Sequence, residues 1–248
     1  MIPKSHPRYA SLKTRELIAD GIKKGITSMH GSMAHGRGEA FDYLLGEKTK
    51  DFAKKSIDSA AALLLLAKNP VISVNGNAAA LVSGELVELS RLINAKLEVN
   101  IFHPSKNRET KIKKYLEKYN AKNVLLPGKN AKIKFLESNR KYVNPNGIFK
   151  ADVVFVPLED GDRTDALIKN GKKVITVDLN PLSRTSQKAT ITIVDNVIRA
   201  MPLLISMIKK FRKLKLSKKQ LEIVYKYHNN KKRLNLALKS IKNLQNKF

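Results

Sequence analysis

The chain has 248 residues, 48 Lys or Arg against 21 Asp or Glu, a net charge of +27, and neither cysteine nor tryptophan. That length accommodates one large α/β domain or two small ones. Lack of cysteine excludes disulfides, thiolate catalysis and cysteine-ligated zinc, and suits a reducing cytoplasm. No apolar signal core opens the sequence and no stretch reaches the roughly 18 to 20 apolar residues of a membrane span, so a soluble cytoplasmic protein is expected.

In chain order, helical patterning over Lys13 to Lys24 leads through Gly25 into a polar connection reaching Gly38. A helix is predicted from Thr49 to Ala67, where Phe52, Ala60, Leu63, Leu64 and Ala67 recur near helical spacing until Asn69-Pro70 stops it. Strand Val71 to Val74, the tight turn Asn75-Gly76-Asn77 and a helix from Ala78 to Leu92 then make a βα unit. The pattern repeats with strand Leu97 to Phe102, helix Lys106 to Tyr119 and a short strand Asn123 to Leu126. Pro127-Gly128 and Asn144-Pro-Asn-Gly147 mark surface loops, with a short helix among them, across 127 to 150. Strand Asp152 to Val156, a helix from Arg163 to Lys169 and strand Lys173 to Val177 follow. After a polar stretch come strand Thr190 to Val194 and a helix Val197 to Lys210, with Asp195 and Asn196 suited to cap it.

Strands alternating with helices predict a Rossmann-like α/β fold, with a mostly parallel sheet covered on both faces. The expected organisation is a domain over 1–208 with an N-terminal helical region at 1–69, then a basic extension, 209–248. That tail holds 14 basic residues against one acid, Glu222, and so nearly half of the net charge. Leu234, Leu238, Ile241, Gln245 and Phe248 fall on one helical face within it. Such a face packs on the body or a subunit partner, or else serves an anionic partner. Nucleic-acid binding is therefore the alternative function, and contact is expected only through the tail.

Four polar clusters could carry chemistry. Asp178 to Val197 follows a buried strand, where open α/β sheets bind ligands, and supplies the fork of Arg184, the hydroxyl of Thr185 and the point charge of Lys188. Ala34 to Tyr43 sets Arg37 between glycines beside His35, a side chain able to take a proton near neutral pH. Ser73 to Asn77 opens backbone N–H groups at a helix start, and Glu159 to Thr164 is an acidic loop able to meet Mg²⁺ or an amine. Ordinary turns and helix caps account for each cluster equally well, Asp162 as a cap included. The Gly-x-Gly-x-x-Gly and Gly-x-x-x-x-Gly-Lys-Ser/Thr phosphate motifs are absent, as are His-Glu-x-x-His and Gly-x-Ser-x-Gly.

As a set, Ser5-His-Pro-Arg-Tyr9, Ala34 to Thr49, Val71 to Asn77, Phe149 to Val153, Val156 to Thr164 and Asp178 to Ala200 resemble the archaeal phosphopantothenate synthetase family, also called 4-phosphopantoate–β-alanine ligases. The resemblance runs over about residues 2 to 208 and leaves out the tail. It implies an ATP-dependent, AMP-forming ligase of coenzyme A biosynthesis that joins 4-phosphopantoate to β-alanine through an acyl adenylate, as a homodimer with Mg²⁺. By motif match it places ATP on Arg15, Arg37, Asp178, Leu179, Asn180, Arg184, Thr185, Asn196 and Val197. Arg37, Arg184, Lys188 and Mg²⁺ would then offset the repulsion among substrate charges, and His35 would remove a proton. Arg8, Asn75, Asn77 and Arg163 become candidates for the substrate phosphate, and Asp162 for Mg²⁺ or the β-alanine ammonium. No ligands of the metal are assigned.

Overall fold

The computed structural model describes residues 3–6, 8–158 and 160–243. Pro7, Glu159, Gln245 and Phe248 lie outside them. Six strands form one sheet: β1 (Pro70–Val74), β2 (Lys96–Val99), β3 (Val124–Leu125), β4 (Val153–Val156), β5 (Lys173–Val177) and β6 (Ile191–Ile193). Their order is β3-β2-β1-β4-β5-β6 and every pair is parallel. The order reverses between β1 and β4, so a crevice opens beyond their carboxyl ends, as in other doubly wound sheets.

Among the described residues ten α-helices connect and cover the strands: α1 (Tyr9–Lys23), α2 (Met29–Leu45), α3 (Asp51–Leu66), α4 (Gly76–Ile93), α5 (Lys106–Glu117), α6 (Gly161–Lys169), α7 (Arg184–Lys188), α8 (Val197–Lys213), α9 (Lys218–Lys226) and α10 (Asn230–Lys242). Alternation along the strands feeds two cores. Ile72, Val74, Phe155, Ile175 and Val177 join the apolar stripes of α3, α4, α5 and α8 on one face. Val71, Val154, Val156 and Val174 point the other way, against α6 and the irregular segment 131–151. With both faces buried, the strands read as continuous apolar runs.

Two expectations about local structure are corrected. The polar connection leading to Gly38 is largely helix α2, because Ser28 caps it by accepting from Gly31 N–H and Asp42 and Leu45 are buried further along it. Three internal glycines did not outweigh that cap and that burial. The polar stretch after β5 likewise contains the short helix α7, capped by Ser183. Asn196 caps α8 as its sequence position suggested, accepting from Ile198 N–H at 3.2 Å, whereas Asp195 pairs with Arg199 and accepts from Thr49.

The boundary at 208/209 falls inside α8, and the helices beyond it return to the body. Leu221 of α9 and Leu234 and Ala237 of α10 are buried in the main core beside α3. The amide of Asn230 donates to the carbonyls of Ser186 and Ala189 and accepts from Thr192 N–H. The basic tail thus holds the junction of α7 and β6 in place.

Candidate active site

A cleft of about 780 Å³ opens at the carboxyl ends of the strands, a volume that suits small-molecule substrates. One wall follows β5. There Asp178 accepts from Asn180 N–H at 2.9 Å and from the Ser183 hydroxyl, and Asn180 accepts from Leu182 N–H at 2.9 Å. This self-braced turn presents Leu179 and Asn180 to the cleft and sets the start of α7. Arg184 projects from that start, exposed, and pairs with Asp162 at the beginning of α6. Asn196 and Val197 complete the wall from α8. Behind them, Arg199 joins Asp42 of α2 to Asp195 at 2.5 and 2.6 Å, and Asn196 Nδ2 donates to Asp42, so α2 and α8 are locked together.

A second wall is α2, with His35, Arg37 and Gly38 on the cleft. His35 Nε2 is buried without a hydrogen-bond partner among the described residues. Burial pushes its imidazole below the usual histidine range; Glu39 and Asp42 oppose the shift and Arg15 adds to it. Nearby, Glu39 accepts a bifurcated hydrogen bond from Arg15 Nε and another from the Ser11 hydroxyl, with Arg8 at 3.5 Å. Burial alone would raise the Glu39 carboxyl, but these hydrogen bonds and the Arg15 charge hold it below the usual carboxylate range.

The floor of the cleft lay beyond local sequence reasoning. Asp160 is buried between two arginines: Arg140 reaches it at 2.7 and 2.5 Å, and Arg163 Nε at 2.6 Å. Arg163 also donates to Ser73 on β1, and Arg140 Nε to Asn100 beyond β2. Two guanidiniums thus converge on one carboxylate at the floor of the cleft. Arg140 comes from the segment predicted as surface loops, where the expected short helix is a 3-10 turn over Asn139–Lys141. Its partners are 20 and 40 residues away in sequence, so no local signal marks it.

Of the remaining candidates, several serve the scaffold. Asn75 caps α4 through Ala78 N–H, and Asn77 donates to Gly31 O at 2.8 Å while touching Thr27, tying α2 to α4. A side chain at Gly31 would overlap both Asn77 and Thr27. Thr185 is fully buried and accepts from Asp160 N–H at 2.9 Å, joining α7 to the floor. Lys188 lies off the cleft wall, 3.9 Å from Asp165. Arg8 and Arg15 stand behind Glu39 instead of lining the cleft. Asp162 provides no side-chain cap, and Asp160 is the residue before α6.

No cluster of three His, Asp or Glu side chains able to cage a metal occurs among the described residues, and the cleft carboxylates are engaged by arginines or hydroxyls. Such a donor set fits Mg²⁺ carried on nucleotide phosphates, where the ion keeps several waters, better than an all-protein site. Among the described residues no helix is long and apolar enough to cross a membrane.

Comparison with known proteins identifies the family. The family model described as phosphopantothenate/pantothenate synthetase matches residues 52–244. A 4-phosphopantoate–beta-alanine ligase from Thermococcus onnurineus is 51% identical over 97% of this chain and 92% of its own length. One of the same name from Methanosarcina mazei is 47% identical over 97% and 94%, and one from Methanospirillum hungatei 52% over 81% and 82%. The similarity continues past residue 208 to include α9 and α10, which corrects the expectation that the tail lies outside it. The chain belongs to the phosphopantothenate/pantothenate synthetase family.

Proposed function

We propose that this chain is an ATP-dependent, AMP-forming ligase that joins 4-phosphopantoate to β-alanine to give 4′-phosphopantothenate for coenzyme A synthesis, as a cytoplasmic homodimer. The observation that carries the reading is one cleft with two anion-seeking regions, the Arg184 wall and the Arg140–Asp160–Arg163 floor. ATP would lie along Asp178 to Asn180, Arg184 and Asn196, with Arg37 facing it from α2. The floor would take the 4-phosphate of the acid substrate. Both substrates are polyanions, so the basic surplus of the body favours their approach without invoking nucleic acid.

The substrate carboxylate oxygen attacks the α-phosphorus of ATP, the bond to pyrophosphate breaks, and an acyl adenylate forms. The neutral amine of β-alanine then attacks the acyl carbon, AMP leaves, and the nitrogen gives up a proton. No protein nucleophile is needed. Arg37 and Arg184 would offset the charge gathered around the reacting phosphorus, a fixed arrangement that lowers the barrier without reorganising at the moment of reaction. His35 would accept the proton from nitrogen, since burial keeps it neutral. When present with the nucleotide, Mg²⁺ would supply further charge neutralisation, with Asp162 the cleft carboxylate to meet it. The exposed Met29, Met33, Tyr43 and Leu44 of α2 support a subunit contact on that helix.

Incubation with ATP, Mg²⁺, 4-phosphopantoate and β-alanine should yield AMP and 4′-phosphopantothenate in equal amounts. Release of AMP without the two co-substrates, or none with them, would refute the reading. His35→Asn is expected to lower kcat at least about 10²-fold and to abolish the acid limb of the rate profile, a limb that lies below the ordinary histidine range in the wild type. An unchanged kcat and limb would make His35 a packing residue.

A further inference from the structure

Lys96, Glu98 and Asn100 recur at every second position, so they share one face of β2 and its extension. All three grip the segment that delivers Arg140. Lys96 Nζ donates to Asn146 O at 2.7 Å, Glu98 Oε1 accepts from Asn144 N–H at 2.9 Å and Oε2 from Ile148 N–H at 2.6 Å. Asn100 accepts from Arg140 Nε and donates to Arg140 O at 3.3 Å. Glu98 is fully buried, and any side chain at Gly147 would overlap its Oε2.

Glu98 makes no ion pair among the described residues; its carboxylate rests on two backbone N–H groups. Arg163 of α6 and Lys172, just before β5, face it as charges, and Lys96 is the cation on its own strand. Burial nevertheless pushes its carboxyl up to about 7, despite those two hydrogen bonds and two charges. The ionised form can accept from both N–H groups. Once protonated, the group keeps one full acceptor, because its hydroxyl oxygen accepts poorly and must aim its own proton away from the N–H it faces.

We propose that Glu98 is a positioning residue for recognition of the acid substrate: its carboxylate fixes segment 140–148 so that Arg140 stands at the cleft floor, and protonation releases that hold. The proposal rests on the reading of the floor as the site of the 4-phosphate. Ionisation and stability then oppose each other. Because the native state retains the proton more tightly than the unfolded chain, stability is greatest below the free-glutamate value of 4.5 and falls as pH rises through about 7. Affinity for 4-phosphopantoate rises across the same interval.

Glu98→Gln keeps the shape but sets an amide NH₂ against one backbone donor. It should raise KM for 4-phosphopantoate about tenfold, the equivalent of one buried hydrogen bond, while KM for ATP stays within about twofold. The wild-type KM for 4-phosphopantoate should fall between pH 6 and 8 more steeply than that of Glu98→Gln, the phosphate's own titration being common to both. Glu98→Gln combined with Arg140→Gln should be no worse than Arg140→Gln alone, because one residue acts through the other. Equal rises in both KM values, additive effects, or superimposable pH profiles would overturn the proposal. If Arg140→Gln leaves KM for 4-phosphopantoate unchanged, the assignment of the floor fails; if it raises KM and Glu98→Gln does not, the role of Glu98 fails. Should Glu98→Gln not fold, the wild-type profile set against that of Arg140→Gln decides, matching profiles counting against Glu98.

Discussion

Asp160→Asn is expected to destabilise the protein by about 3–5 kcal/mol, because it leaves two buried guanidiniums sharing one neutral amide where they shared a carboxylate. Arg163 is 1% exposed at its side chain and Arg140 7%, so water screens the lost charge only weakly. For a chain of this length the midpoint of thermal unfolding should fall by roughly 10 °C. Inorganic phosphate or 4-phosphopantoate should recover part of the loss by occupying the floor, since a ligand that binds only the folded state stabilises it. A midpoint within about 2 °C of wild type, by calorimetry without added anion, would contradict the account of the floor as a cluster in need of negative charge.

Arg184→Ala should behave in the opposite way. The side chain is exposed and its ion pair with Asp162 is at the surface, so stability should change by less than about 1 kcal/mol. Turnover is another matter. If the fork stabilises charge on the transferred adenylyl group, AMP formation should slow at least about 10²-fold. Arg184→Lys should restore only a part, because a point charge does not reproduce the planar pair of donors. Single-turnover measurement of adenylate formation checks this step, and a rate within about threefold of wild type would make α7 a structural element alone.

What could be read from sequence follows the range of the forces involved. β5 was legible to the residue, since a run of buried β-branched side chains declares itself locally. The Asp178 to Val197 region was legible as a wall of the cleft because its polar residues sit together at a strand end. Helix α2 was not, since Gly36 and Gly38 argue against a helix and the packing that overrides them comes from Asn196 and Arg199, over 150 residues on. Arg140 was invisible for a similar reason. Its meaning is set by Asn100 and Asp160, and only the sheet order brings those two together. Conversely, Asn75 and Asn77 line the cleft while also capping α4 and tethering α2, and Thr185 accepts from Asp160 N–H, scaffold roles that local sequence did not separate from ligand binding.

The clamp that Asn230 places on Ser186, Ala189 and Thr192 has a consequence for synthesis of the protein. A nascent chain extended as far as residue 229 already contains the Asp178 to Val197 wall of the cleft, yet lacks the amide that holds the α7–β6 junction and the α10 residues that seal the core behind it. The cleft should therefore take its final shape late in translation, after the sheet itself has formed.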